Sequence, residues 1–400
     1  MRVLQINSVC GIGSTGRIAT DIHDILIGQG HESYIAYGRD LSRNCDTSIR
    51  IGNKIDNYLH VALTRVFDKT GFGSKKATLE FIKKIKVLDP DIIHLHNIHG
   101  YYINIELLFD YLKKANIPIV WTLHDCWSFT GHCAHFDFIK CSKWVTGCFD
   151  CPQKSSYPTS ILADNSIKNY QIKKNIFTGV KNLTIVSPSK WLAELVKQSF
   201  LKEYPIEVIN NGIDLNIFKP TLSKFRDNNK FMILGVANIW NTKKGLEYFI
   251  ELSKMISDEE TIVLVGVSEK QKTKLPPNII GITRTNNTHE LAEIYSASDV
   301  FVNPTLEEVM GLTNIEALAC GTPVITFKTG GSVECVDSQT GVVVEKGNLV
   351  KLRTEIINIK NGNKKYQKNN LVQWAKSKYD KQERCADYIN HYTAMIGARN

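Results

Sequence analysis

No apolar run in this chain approaches the ~20 residues needed to cross a bilayer as a helix, which excludes a membrane-spanning helical protein. There is no short tandem repeat and no low-complexity tract, so solenoid, collagen-like and largely disordered architectures are excluded as well. Aromatic residues do not interleave with the basic stretches and no recognised nucleic-acid motif accompanies them, which argues against a nucleic-acid partner despite a formal net charge of +9. The first residues, Met1-Arg2-Val3-Leu4-Gln5-Ile6-Asn7, lack the long apolar core and small-residue cleavage site of a secretory signal. They read as a buried first strand, and the protein is expected to stay in the cytoplasm.

What is present suits two α/β domains, because 400 residues exceed what one ordinary core accommodates. Strand-like runs at Val3 to Asn7, Ser33 to Tyr37, Ile92 to His96, Ile119 to Leu123 and Leu183 to Ser187 alternate with helical patterns such as Ile18 to Gln29 and Ile105 to Ala115. That alternation predicts a parallel sheet covered on both faces. A fresh series starts at Phe231 to Val236 and continues through Thr261 to Val265, Asn278 to Gly281, Val300 to Asn303 and Val324 to Thr326. The expected domains are 1–205 and 230–380, joined by a linker over 206–229. Residues 360–370 read as a polar loop. Two lobes imply a cleft between them.

Gly11-Ile12-Gly13-Ser14-Thr15-Gly16 satisfies G-x-G-x-x-G between the first strand and the first helix, and Asp40 follows the second strand as a dinucleotide-binding acid would. The physical content is broader than a dinucleotide. Glycines let amide N–H groups at a helix start approach any phosphate, and Ser14, Thr15 and Arg17 add hydroxyls and a cation. Gly13, Gly16 and Arg17 are therefore candidates for holding a diphosphate.

Farther along, Pro304-Thr305-Leu306-Glu307-Glu308-Val309-Met310-Gly311 leads into Leu312-Thr313-Asn314-Ile315-Glu316, with Gly321-Thr322-Pro323 and later Gly330-Gly331 behind. Glu308 and Glu316 are acceptor-only groups separated by seven residues around a helix start, and vicinal sugar hydroxyls are their natural donors. This E-x7-E element resembles that of the retaining glycosyltransferases of family 4. The resemblance covers nearly the whole chain. It implies the GT-B arrangement, two Rossmann-like domains facing a central cleft, with the helix from about Lys381 to Ile396 (residues 381–400) returning to the first domain.

The resemblance also implies roles. Glu316 would hold the ribose diol and Glu308 the transferred sugar, with Gly311, Leu312 and Thr313 completing the donor pocket. Lys244, in Lys244-Gly245, matches the lysine of the family's G-R-x-x-x-x-K-G segment and would stabilise the departing diphosphate; Asn238 stands where the arginine is usual. His124, at the end of Val120-Trp121-Thr122-Leu123, resembles the family residue that orients the donor sugar. Asp125 beside it, and the cluster His96, Asn97, His99 and Tyr101, are acceptor candidates. The expected reaction moves a sugar from a UDP or GDP sugar to a glycan or lipid-linked glycan in surface polysaccharide assembly, by same-face attack and without a catalytic cofactor. A nucleotide-sugar epimerase or hydrolase on the same scaffold is the rival.

Five of ten cysteines fall between Cys126 and Cys151, and Cys133, Cys141, Cys148 and Cys151 form C-x7-C-x6-C-x2-C. Either a structural zinc or buried free thiols would account for them. The run also looks like the insertion in the colanic acid, capsule and O-antigen branch of these enzymes. Basic stretches at Lys69 to Lys86 and Lys351 to Arg384 suit either a solvated helical face or an anionic membrane surface.

Overall fold

The computed structural model describes residues 1–225 and 230–398; the end of the expected linker, 226–229, lies outside the described residues. The chain divides into two compact units, Met1–Asn210 with the segment from Gln382, and Asn211–Lys381.

The first unit carries seven parallel strands, β1 (Arg2–Asn7), β2 (Glu32–Tyr37), β3 (Ser48–Arg50), β4 (Ile92–Leu95), β5 (Ile119–Thr122), β6 (Leu183–Ser187) and β7 (Ile206–Val208), in the order β3-β2-β1-β4-β5-β6-β7. Its helices are α1 (Gly13–Gly28), α2 (Lys54–Phe67), α3 (Lys75–Leu88), α4 (Ile105–Ala115), α5 (Ser166–Phe177) and α6 (Lys190–Gln198). The chain leaves β1 for β2 on one side and later returns to β4 on the other. That reversal makes β1/β4 the topological switch point, outside whose carboxyl ends ligands of open α/β sheets bind.

The second unit repeats the plan with β8 (Phe231–Val236), β9 (Glu260–Val265), β10 (Ile279–Ile282), β11 (Val300–Asn303), β12 (Val324–Phe327) and β13 (Gly341–Val344), in the order β10-β9-β8-β11-β12-β13. All are parallel, and the switch point is β8/β11. Helices α7 (Leu246–Ser253), α8 (Glu269–Lys272), α9 (Thr288–Ala297), α10 (Leu312–Ala319), α11 (Leu349–Lys360) and α12 (Lys368–Tyr379) accompany them. Side chains on successive strand residues point to opposite faces. Accordingly Met232 and Leu234 pack into one apolar cluster with Val263 and Val265, while Ile233 joins Ile262 and Leu264 in another. Each fully buried side chain of this kind contributes about 1.5–3 kcal/mol.

The last helix, α13 (Lys381–Gly397), joins the first unit from Gln382 onward. Cys385, Tyr388, Ile389 and Tyr392, spaced i, i+3, i+4, i+7, pack with Val3, Ile22, Leu26, Ile92 and Val120. The tyrosine hydroxyls are satisfied too. Tyr392 donates to His94 Nδ1 at 2.6 Å, His94 Nε2 donates to Thr122 Oγ1 at 2.8 Å, and Thr122 donates to the Tyr388 hydroxyl at 3.2 Å. No described helix is long and apolar enough to cross a membrane.

Candidate active site

In the second unit the loops that follow β8 and β11, on either side of the switch point, are tied together. Lys244 Nζ meets Glu308 Oε2 at 2.8 Å, and Lys243 Nζ meets Glu307 Oε2 at 2.7 Å. Leu306 N–H donates to the Lys243 carbonyl at 2.7 Å, and a Cβ on Gly245, which sits at φ +80°, would fall 2.3 Å from the Pro304 carbonyl oxygen. Glycine is the residue that permits this approach and this backbone conformation. Gly330 does the same on the other side. Its φ is +51°, a Cβ there would lie 1.8 Å from the Glu308 carbonyl oxygen, and the Gly331 N–H donates to that oxygen at 3.2 Å.

Behind the loop a buried amide network fixes the start of α10. Asn303 donates to Asn314 Oδ1 at 2.8 Å, and Asn314 Nδ2 donates to Ser332 at 3.1 Å. The helix start after Gly311 has no side-chain cap, so no capping side chain offsets the positive pole at the Leu312–Thr313 end. One turn on, half-buried Glu316 accepts a hydrogen bond from the fully buried Tyr295 hydroxyl at 3.0 Å. Burial and the neighbouring Glu316 hold the Tyr295 phenol well above its ordinary range, so it stays a donor. Met310 is buried in the core beside this loop, its sulfur 3.3 Å from the Asn211 N–H.

At the first unit's switch point, Gly13 opens α1, whose N-terminus also lacks a side-chain cap. Gly11 is required by close approach, since a Cβ there would lie 2.2 Å from the Arg43 carbonyl oxygen; a Cβ at Gly16 would make a tight contact, 3.1 Å from Val9. Gly13 has open space around it at φ +66°, and Arg17 is exposed, with its Nε on the Gly13 carbonyl at 3.2 Å.

A chain of assigned hydrogen bonds sets the tautomer of His124. Gln5 Nε2 donates to the Ala19 carbonyl at 2.9 Å, which turns Gln5 Oε1 toward His96 Nε2 at 3.0 Å. His96 must then donate from Nε2 and accept at Nδ1, where His124 Nε2 lies at 3.0 Å. His124 is thereby the Nε2–H tautomer and presents an Nδ1 lone pair. Burial lowers its pKa to about 4 and holds His96 well below the ordinary imidazole range, so both are neutral. His124 is a hydrogen-bond acceptor at neutral pH, suited to a hydroxyl group.

This network corrects part of the acceptor set. His96 is 1% exposed with both ring nitrogens engaged, so it positions His124 rather than meeting a ligand. His99 is likewise spoken for: Nε2 meets Asp125 Oδ2 at 2.9 Å and Nδ1 meets the Tyr157 hydroxyl at 3.1 Å. Burial alone would raise the Asp125 pKa, but the adjacent His99 and the Trp127 N–H bring it down to about 2. Tyr101 is 6% exposed. Asn97 and Asp125 retain partial exposure.

Residues 15–217, just over half the chain, match the family model described as Glycosyltransferase Family 4, and residues 230–361 match that of Glycosyl transferases group 1. The chain belongs to glycosyltransferase family 4. It is 24% identical over 416 residues to the putative colanic acid biosynthesis glycosyl transferase WcaC of Escherichia coli K12, covering 98% of this chain and 99% of that protein. Its fold is similar to sucrose-phosphate synthase from Thermosynechococcus elongatus (TM-score 0.72, 16% identity, all of both chains) and to Anabaena HepE in complex with UDP and glucose (TM-score 0.69, 16% identity, 98% and 99% of the chains). The fold is GT-B, two Rossmann-like units.

The family 4 enzyme carries its cysteines in an excursion between β5 and α5. Cys133, Cys141, Cys148 and Cys151 line one cavity of about 10 Å³ with His132, yet among the described residues no three His, Cys, Asp or Glu groups stand ready to hold a metal ion. Buried polar groups order this segment in the structure. Lys173, 1% exposed, donates to the Trp127 and Thr130 carbonyls at 2.6 and 2.9 Å and lies 3.6 Å from the Trp127 ring centroid. Burial lowers its pKa to about 7. Asp68 accepts from His132 Nδ1 and from the Asn165 N–H. Sequence reading missed Lys173, Asp68, Gln5 and Tyr295. None lies in a motif, and each acts across a long separation in the chain.

Proposed function

We propose that this family 4 member is a retaining transferase that moves a sugar from a nucleoside diphosphate sugar to a glycan or lipid-linked glycan acceptor in surface polysaccharide assembly. The observation that carries the reading is the Lys244–Glu308 pair across the second unit's switch point. It sets a cation for diphosphate and a carboxylate for sugar hydroxyls beside one another, in loops held by Gly245 and Gly330. Glu316, set by Tyr295, takes the ribose diol, and the uncapped start of α10 at Gly311, Leu312 and Thr313 faces the phosphates. On the first unit, His124 offers Nδ1 to a hydroxyl group, while Gly13, Gly16 and Arg17 offer amides and a cation to a phosphate. Asn97 and Asp125 serve the acceptor. The likeness to a colanic acid enzyme over nearly full length, and to a structure holding UDP and glucose, supports this assignment.

In the reaction the acceptor hydroxyl attacks the anomeric carbon on the face from which the diphosphate departs, and the leaving phosphate oxygen takes its proton. Cations and amides placed where charge develops supply the largest part of the stabilisation. The test is the anomeric configuration of the product by NMR, using whichever nucleotide sugar the protein binds. Retention is expected; inversion rejects the mechanism, and donor turnover equally fast without acceptor favours the epimerase or hydrolase.

A structural zinc with Cys133, Cys141, Cys148 and Cys151, which line one cavity, as its thiolate donors belongs to the same reading. One zinc per chain in protein purified without chelator would support it. A metal-free, fully folded protein removes it.

A further inference from the structure

Cys10 stands between β1 and the Gly11–Gly16 turn, and Cys45 stands in the loop between β2 and β3. The fold brings them together. Cys10 packs with Ala19, Ile35 and Tyr37, Cys45 packs against the same cluster, and the two sulfurs are hydrogen-bonded to one another. The backbones that carry them are tied as well. Arg43 N–H donates to the Cys10 carbonyl at 3.2 Å, and Cys10 Sγ lies 3.9 Å from the Arg43 carbonyl oxygen, the atom that a Cβ on Gly11 would strike.

The pair is unequal. Cys10 is fully buried, whereas Cys45 keeps partial exposure. His23 on α1, whose Nδ1 meets the Ser33 hydroxyl at 2.9 Å, hydrogen-bonds Cys45 and not Cys10. Hydrogen bonds from the Cys10 thiol and from His23 outweigh burial and hold the Cys45 thiol well below its ordinary range, while the contact with Cys45 and burial push Cys10 up. For His23 burial opposes charging, but the Cys45 sulfur, Asp24 and Asp46 together raise its pKa. The arrangement is a thiolate beside an imidazolium, with a protonated thiol against it. Thiolate character and access decide which cysteine meets an oxidant, and a neighbouring thiol decides what becomes of the product.

We infer that Cys45 and Cys10 are a peroxide-responsive pair, Cys45 attacking and Cys10 resolving, whose disulfide ties the loop after β2 to the glycine turn at the β1/β4 switch point. In the first step the Cys45 thiolate attacks one oxygen of hydrogen peroxide, the O–O bond breaks, and the departing hydroxide takes a proton from His23 to become water. Cys45 is then a sulfenic acid. The Cys10 sulfur attacks the Cys45 sulfur, the S–S bond forms as the S–O bond breaks, and the hydroxide leaves with the Cys10 proton as a second water. The two sulfurs give up two electrons and the peroxide takes them. The inference does not depend on the transferase reading, because neither sugar nor nucleotide takes part.

The test is exposure of the full chain to hydrogen peroxide, alkylation of the remaining thiols and tryptic mapping by mass spectrometry. Cys10 and Cys45 fall in separate peptides, Val3–Arg17 and Asn44–Arg50, neither of which holds another cysteine. The wild type is expected to yield these two peptides as a linked pair that dithiothreitol separates. Cys10→Ser should stop at a Cys45 sulfenic acid that dimedone labels, and Cys45→Ser should leave Cys10 a free thiol, alkylated once the chain is denatured. Linkage found only among the cysteines from Cys126 to Cys151 overturns the proposal. So does wild-type Cys45 driven to sulfinic acid with Cys10 still a thiol, or dimedone on Cys10 in Cys45→Ser.

Discussion

Both sheets are wholly parallel and both reverse strand order once, yet ten of the eleven histidines fall in the first unit and only His289 in the second. The first unit's switch point is furnished with neutral imidazoles in a buried relay. That of the second carries two lysine–glutamate pairs. The shared fold follows from apolar strand runs that both halves contain, while the chemistry follows from what stands just beyond the strand ends. Neutral acceptors suit hydroxyl groups and paired charges suit a diphosphate. One topology thus carries two different sets of side chains at its switch points.

The contrast can be broken most severely on the charged side. Lys244→Ala should cut turnover by about a thousandfold, about 4 kcal/mol, with little change in melting temperature, since the pair is partly exposed and the lost term is stabilisation of the leaving group. Steady-state kinetics beside a thermal melt checks this; a loss of stability matching the loss of activity would reassign Lys244 to folding.

Acid should separate the units next. Burial lowers the pKa of His60 to about 4, against about 6.5 in the unfolded chain, so the unfolded state binds the proton first as pH falls. The stability His60 contributes is complete above about pH 6.5 and drains away toward pH 4, by up to about 3 kcal/mol. His94 and His96, held low by burial, act in the same direction. Hydrogen exchange between pH 7 and pH 4 should show the first unit opening before the second.

Lys173→Met should remove the clamp on the Trp127 and Thr130 carbonyls, destabilising the first unit by roughly 2–3 kcal/mol while the second melts as before. The smallest effect is expected from Gln5→Leu, which releases the His96–His124 relay. Catalytic efficiency should fall about tenfold, and 15N shifts of His124 should change from one tautomer to a mixture. An unaltered tautomer would mean that Gln5 does not set it.

Strands with continuous apolar runs, such as Phe231 to Val236, were legible in the sequence to within a residue or two. Three were not. Ser48–Arg50 and Ile206–Val208 are three-residue edge strands with partly exposed side chains, and Gly341–Val344 has four residues, with Val342 and Val343 partly exposed or exposed; none offers a long enough pattern. The polar loop read at 360–370 is found between α11 and α12, with Lys360 closing the first helix and the second beginning at Lys368. At the second unit's site, Glu308, Glu316, Lys244 and the glycines were legible because motif spacing encodes local turn geometry. Tyr295 and the Lys243–Glu307 pair were not, since they depend on which strands become neighbours. His96 and His99 misled for the same reason. A histidine at a strand end looks like a ligand group until the structure shows both of its nitrogens bound.

The central claim is that the Lys244–Glu308–Glu316 constellation grips a nucleoside diphosphate sugar, and its most direct test is thermal shift of the wild type, Lys244→Ala and Glu316→Ala against UDP, GDP, ADP and their sugars. One nucleotide series should raise the wild-type melting temperature in a concentration-dependent way, with the shift lost in both variants. No shift with any of them, or equal shifts in all three proteins, would contradict it.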